Sequence, residues 1–73
     1  MIIVTTQKIV INADYIAYIW HEEATGCVWA ELSDKSEIRL GKYKDAETAE
    51  LAVKRIAQCW GGISSFNMPE ENQ

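Results

Sequence analysis

Hydrophobic and polar positions alternate along the first two thirds of the chain and change to a helical spacing near residue 45. Up to that point, short stretches of β-branched and aromatic residues are separated by polar breaks, which is typical of strands joined by turns. The breaks at residues 12–14 and 23–26 contain the Asn, Asp or Gly that turns favour. The pattern therefore predicts strands at about residues 2–5, 9–11, 15–22, 27–32 and 37–43.

One α-helix is predicted over residues 46–60. Asp45 is a good N-cap, and Gly61-Gly62 is expected to end the helix. Leu51 lies on the side of the helical wheel opposite the apolar stripe, where a single exposed Leu is normal. The stripe follows an i, i+3, i+4 spacing and is formed by Ala46, Ala49, Val53, Ile56 and Trp60.

These elements predict a single α+β domain over residues 1–73, with an antiparallel sheet of about five strands packed against one C-terminal helix. Residues 63–73 are predicted to be a tail, in which residues 63–68 form either a last short strand or an extended segment. Residues 69–73 are polar, and we expect them to be frayed. A chain of this length has room for one domain only.

The register of the first long hairpin follows from its loop. If Glu22 pairs with Cys27, Trp20 lies opposite Trp29 and Tyr18 lies opposite Glu31. A loop of three or five residues in the next hairpin, pairing Leu32 with Ile38, keeps the aliphatic residues together on the face toward the helix. That face is formed by Ala17, Ile19, Val28, Ala30, Leu32, Ile38 and Leu40.

The same register places a second apolar set on the sheet face that points away from the helix. Its members are predicted to form a protein interface, because Trp and Tyr are enriched among interface anchors and a contiguous apolar patch usually marks a contact site. Alternatively, the N-terminal strands or residues 66–68 fold over this face and bury it. The predicted interface residues are Ile16, Tyr18, Trp20 and Trp29.

Composition and charge narrow the choice of function. The net charge of −4 argues against binding nucleic acid through a basic face. No apolar stretch is long enough to span a membrane, and the start of the chain lacks the pattern of a secretory signal, so we expect a cytoplasmic protein. Cys27 and Cys59 fit that location, and we expect buried thiols rather than a disulfide or a metal site.

No catalytic, cofactor-binding or metal-binding residues are predicted. His21 and Glu22 are adjacent in a strand and therefore point to opposite faces, while His21 and Glu23 alone are too few to hold a metal. The chain contains no Walker A loop, no Gly-x-Gly-x-x-Gly and no Cys-x-x-Cys. A domain this small also has little room for a substrate pocket, so an enzyme is not expected.

Residues 38–43, Ile-Arg-Leu-Gly-Lys-Tyr, are followed by Asp45, Glu47 and Ala49. Together with the start Met-Ile-Ile-Val and the tail segment Phe-Asn-Met-Pro-Glu at residues 66–70, they give a pattern that covers nearly the whole chain. It resembles short uncharacterised proteins of Gram-positive bacteria and their phages. The resemblance implies an antiparallel sheet capped by one helix, in a reduced PH-like arrangement. Small phage inhibitors of host defence, including anti-CRISPR proteins, are similar in size and acidity.

Three functional hypotheses follow. The first is a non-catalytic module of bacterial, phage or prophage origin that binds another protein or itself, as a homodimer, through the aromatic face. The second is a nucleic-acid-binding accessory protein that uses an exposed Trp for base stacking together with Lys35, Arg39, Lys42 and Lys44. The third is an acidic phage inhibitor that binds a host defence or regulatory protein.

Overall fold

A computed structural model of the protein describes residues 1–71; residues 72 and 73 of the predicted tail lie outside the described part. Over residues 1–71 the fold is α+β, with one α-helix and two three-stranded sheets. The prediction of a single sheet of about five strands was therefore wrong, although the fold class is confirmed. The elements are β1 (Ile2–Val4), β2 (Val10–Asn12), β3 (Ile16–His21), β4 (Cys27–Leu32), β5 (Glu37–Lys42), α1 (Ala46–Cys59) and β6 (Ser65–Asn67).

The smaller sheet has the order β2-β1-β6 and joins the two ends of the chain. β1 runs antiparallel to β2 and parallel to β6, with Ile3 opposite Ile11 on one side and opposite Phe66 on the other. Of the two alternatives for residues 63–68, the short strand is the one observed. A turn of 3-10 helix at Ala13–Tyr15 then leads into β3, so the third strand begins one residue later than predicted.

The larger sheet is the antiparallel meander β3-β4-β5. Trp20 lies opposite Trp29 and Tyr18 opposite Glu31, which confirms the predicted register of the first hairpin. In the second hairpin Ile38 lies opposite Ala30, so it faces the helix side as expected. The specific pairing of Leu32 with Ile38 was wrong, because a tighter turn lets the Leu32 amide donate to the Ser36 carbonyl instead.

A β-bulge in β3 changes the position of one predicted interface residue. Ile16 pairs with Leu32 and Tyr18 with Glu31, which leaves Ala17 as the extra residue. The bulge shifts Ile16 to the helix side, where it packs against the core, while Ala17 is exposed. The assignment of Ile16 to the face away from the helix was therefore wrong, because strict alternation does not survive an inserted residue.

α1 begins at the predicted cap and ends one residue early. The Asp45 carboxylate accepts a 2.7 Å hydrogen bond from the Thr48 amide, and this bond lowers the pKa of Asp45. Trp60 is the C-cap, where a ψ of 123° ends the helix, and its side chain is 46% exposed. Its predicted place in the helix–sheet core was wrong. Gly61 follows with a φ of +78°, as a residue after the C-cap often has.

One hydrophobic cluster lies between α1, the larger sheet and the smaller sheet. α1 packs on β3 and β4 to about the same extent. The fully buried centre includes Ile3, Val28, Leu40 and Ile56. Within residues 1–71, no helix is both long and apolar enough to cross a membrane.

The segment after β6 is fixed rather than frayed as far as Glu71. The Tyr43 hydroxyl donates a 2.8 Å hydrogen bond to the Pro69 carbonyl. The Glu71 carboxylate accepts hydrogen bonds from the Thr6 hydroxyl and, at 3.1 Å, from the Lys42 amide. These bonds hold residues 69–71 beside the end of β5.

Candidate protein-interaction surface

The side of the larger sheet that points away from α1, which we call the outer face, contains three aromatic side chains. Tyr18 and Trp20 lie on β3, and Trp29 lies opposite Trp20 on β4. Because Ile19, Val28 and Ala30 pack toward the helix, their alternating neighbours must point outward. Three of the four residues predicted for the interface therefore share this face, and Ile16 does not.

The aromatic side chains of the outer face keep part of their surface in solvent. Tyr18 is 66% exposed, and Trp20 and Trp29 are partly buried. The termini pack on the helix side of the sheet and not over the outer face, which rules out the alternative. Ile3, Ile11 and Met68 belong to the hydrophobic cluster on that side, and Phe66 contacts it. Neither tryptophan belongs to that cluster.

Polar groups frame the two tryptophans, and the hydrogen bond between Trp29 and Glu22 was missed by reasoning from the sequence. The Trp29 indole nitrogen donates a hydrogen bond to the Glu22 carboxylate, which is a diagonal neighbour across the hairpin. Arg39 lies directly opposite Trp29 on β5 and extends the row to the third strand. Arg39 was already a candidate beside an exposed Trp, and the register makes Arg39 and Trp29 a direct cross-strand pair.

Glutamates occupy the next row of the outer face. Glu31 lies between Tyr18 on β3 and Glu37 on β5, so two carboxylates face each other across neighbouring strands. Like charges directly opposite one another are unfavourable in a sheet. The outer face thus combines an aromatic row ending in one arginine with an acidic row.

The two long edges of the larger sheet differ in their backbone contacts. At β5, the Thr6 amide donates to the Leu40 carbonyl at 3.0 Å, and the Lys42 amide donates to Glu71. At β3, no strand of the described chain pairs with the outer edge. This edge has a neutral run from residue 15 to residue 20, without the Lys or Pro that often protects an edge strand.

No protein-family model matches the chain, and no curated protein or solved structure is similar enough to count as a match.

An apolar groove lies along the β3 edge, between that strand and α1. Its volume is about 350 Å³. The strand side includes Ala17, Tyr18 and Ile19, and the helix side includes Ile56 and the exposed Trp60. Apart from Tyr18, whose side chain belongs to the outer face, the residues that line the groove are apolar, so the groove offers apolar contact.

The groups that were weighed as chemical candidates remain apart. Both cysteines are free thiols, with Cys27 buried and Cys59 partly buried. His21 lies opposite Val28, and its Nδ1 is buried without a hydrogen-bond partner in the described chain. Within residues 1–71, no group of three or more His, Cys, Asp or Glu residues is placed to hold a metal ion.

Two titratable groups with shifted pKa values, Tyr43 and Glu71, are located where the tail meets β5. Burial, together with the nearby Glu71 carboxylate, raises the pKa of Tyr43 to about 12. The hydrogen bond from the Thr6 hydroxyl is the main cause that lowers the pKa of Glu71. Both side chains form hydrogen bonds within the fold, and these bonds attach the tail to the rest of the domain.

Proposed function

We propose that this protein is a non-catalytic interaction module that binds another protein, or a second copy of itself, through the outer face. The observation that carries the proposal is the row of Trp20 and Trp29, partly exposed on a sheet face that the core does not use. Tyr18 lies beside this row and is mostly exposed. Tyr and Trp supply large, rigid contact areas and dominate many interfaces.

The composition of the outer face favours a protein as the binding partner. The tryptophans provide apolar anchors, while Glu22, Glu31, Glu37 and Arg39 supply polar groups around them. An apolar centre with a polar rim is the usual anatomy of a protein interface. A basic side chain of a partner would find two facing carboxylates at Glu31 and Glu37.

The absence of catalysis, a cytoplasmic location, a bacterial or phage origin and a PH-like arrangement belong to the same proposal. They rest on the sequence patterns given above. The surface described here needs no cofactor and no small-molecule substrate.

Nucleic-acid binding is the second candidate, and Arg39 opposite Trp29 is the observation that favours it. An exposed Trp can stack on a base while an Arg contacts a phosphate. Glu31 and Glu37 on the same face would repel the phosphate backbone, and the net charge of −4 would add to that repulsion. We therefore rank this candidate second. Retention on single-stranded DNA that weakens steeply with salt would support it and would overturn the ranking.

Site-specific photocrosslinking tests the proposed function. A photoreactive amino acid at Tyr18 is expected to crosslink one defined protein, which is either the chain itself or a partner. The same group at Leu51, which is 52% exposed on the far side of α1, is the matched control. The crosslink from position 18 should disappear when Trp20→Lys and Trp29→Lys are combined. Equal labelling from both positions would contradict the proposal.

A further inference from the structure

From the free β3 edge, which borders the outer face, we infer which protein binds there: a second copy of the chain whose β3 pairs antiparallel with this β3, so that two meanders form one six-stranded sheet. The inference rests on the proposed function and makes it specific. It assigns Trp20 to the two-fold axis, where it faces the partner's Trp20.

The hydrogen bonds of the first hairpin determine which backbone groups of β3 are free. The Glu22 amide donates to the Cys27 carbonyl at 2.9 Å. Hydrogen-bonded and non-hydrogen-bonded pairs alternate along an antiparallel ladder, so the backbone groups of Trp20 and Tyr18 also point toward β4. The amides and carbonyls of Ile19 and His21 therefore point away from β4, toward the free edge.

These backbone groups favour one register in which two copies of β3 pair symmetrically. Pairing Ile19 with the partner's His21, and His21 with the partner's Ile19, lets each pair exchange both of its backbone hydrogen bonds. A shift toward the start of the strand would bring the bulged Ala17 into the ladder. A shift toward its end would place two histidines opposite each other and use residues of the turn.

In this register no like charges meet at the interface. Trp20 faces the partner's Trp20 as a non-hydrogen-bonded pair, in which the Cα atoms are about 4.5 Å apart and the side chains are close. Tyr18 faces the partner's Glu22. The outer face would then contain four tryptophans in one row, in the order Trp29, Trp20, the partner's Trp20 and the partner's Trp29.

The position of α1 gives an independent geometric check. α1 lies over β3 and β4 alike, so its axis is about half a strand spacing from β3. The two-fold axis is about half a spacing from β3 on the other side, which puts the helix axis about one strand spacing, about 4.8 Å, from the two-fold axis. A two-fold axis perpendicular to the sheet keeps both helices on the same side. Their axes would be about 10 Å apart, which is within the usual range for packed helices. The apolar groove with the exposed Trp60 would close between the two helices.

Sedimentation equilibrium of the full chain tests the pairing. The wild type is expected to reach twice its mass of 8.3 kDa as concentration rises. Trp20→Lys should raise the dimer Kd at least about 30-fold, because it removes the central aromatic pair and places two cations at the axis. Leu51→Lys, the same kind of change on a distant exposed site, should leave Kd unchanged. Circular dichroism shows that each variant is folded.

Amide exchange by NMR on the wild type tests the interface without a mutation. The amides of Ile19 and His21 should exchange at least about tenfold more slowly once the dimer is the main species, and the two should change together. A chain that stays monomeric up to about 1 mM would overturn the inference. So would a dimer in which these two amides exchange as in the monomer.

The two proposals fail in different ways. If the chain is monomeric but another protein crosslinks from position 18, the self-pairing is wrong and the proposed function stands. If position 18 crosslinks neither the chain nor another protein, the proposed function is wrong as well. Protection of Ile19 and His21 in a monomeric chain by a partner's strand would also overturn the second copy as the occupant.

Discussion

Of the glycines in the chain, Gly26 is the one where an added methyl group should lower the free energy of unfolding most. It has a φ of +71°, and a Cβ atom there would lie 2.2 Å from the carbonyl oxygen of Tyr43. Gly61 has a similar φ of +78° but no atom within 4 Å of the same added Cβ. The two glycines therefore separate the cost of the backbone conformation from the cost of the close approach.

The expected magnitudes follow from that difference. Gly61→Ala should destabilise the protein by about 1–2 kcal/mol, the cost of a left-handed conformation for a residue with a side chain. Gly26→Ala has the same cost and adds about 1–3 kcal/mol for the displaced backbone. The 2.8 Å bond from the Tyr43 amide to the Gly26 carbonyl would also be strained. The total of about 2–5 kcal/mol is a large part of the roughly 4–11 kcal/mol expected for 73 residues.

Urea unfolding followed by tryptophan fluorescence measures both variants against the wild type. We expect Gly26→Ala to lower the free energy of unfolding by at least about 1 kcal/mol more than Gly61→Ala does. Equal losses would mean that Tyr43 is not close to Gly26 in solution. The close packing described at this end of β4 and β5 would then be refuted.

Three further predictions concern the tail and the outer face. The pKa of Glu71 is lowered in the fold, so its contribution to the free energy of unfolding is present at neutral pH and is lost as pH falls through that lowered pKa. Glu71→Gln should therefore make the free energy of unfolding, measured in urea, depend less on pH in the acid range. The pKa of Tyr43 is raised to about 12 from 10.0, so its contribution to stability is present below pH 10 and declines as pH rises toward 12. Absorbance titration should show a late phenol transition that is absent in Tyr43→Phe. Glu37→Lys should raise the free energy of unfolding by about 0.2–1 kcal/mol, because it replaces the repulsion from Glu31 with attraction; a loss of stability would contradict the assigned register.

Patterns within a few residues predicted the structure well. The Glu22–Cys27 loop placed Trp20 opposite Trp29, and Asp45 caps α1 as its position suggested. These features depend on local backbone geometry, which the order of residues determines directly.

Features that depend on distant contacts were not predicted. A short strand was one of the two alternatives for residues 63–68, but its parallel pairing with β1, at the other end of the chain, was not predicted. The bulge at Ala17 has no signal in the residues around it, and it moved Ile16 from one side of the sheet to the other. Trp60 fits the helical period, but the backbone leaves the helix at that residue. The direct pairing of Arg39 with Trp29 and the hydrogen bond from Trp29 to Glu22 needed the complete three-stranded register.

The parallel pairing of β1 with β6 has a consequence for the order of folding. The meander β3-β4-β5 closes through short turns, so its nucleus can form quickly from contacts near in sequence. The β1–β6 ladder closes a loop that contains nearly all of the described chain, and the entropy cost of such closure must be met before any contact forms. During synthesis β1 is made well before β6, and the smaller sheet is complete only when β6 has joined it. The hydrogen bonds between β1 and β6 would then be among the last native contacts to form.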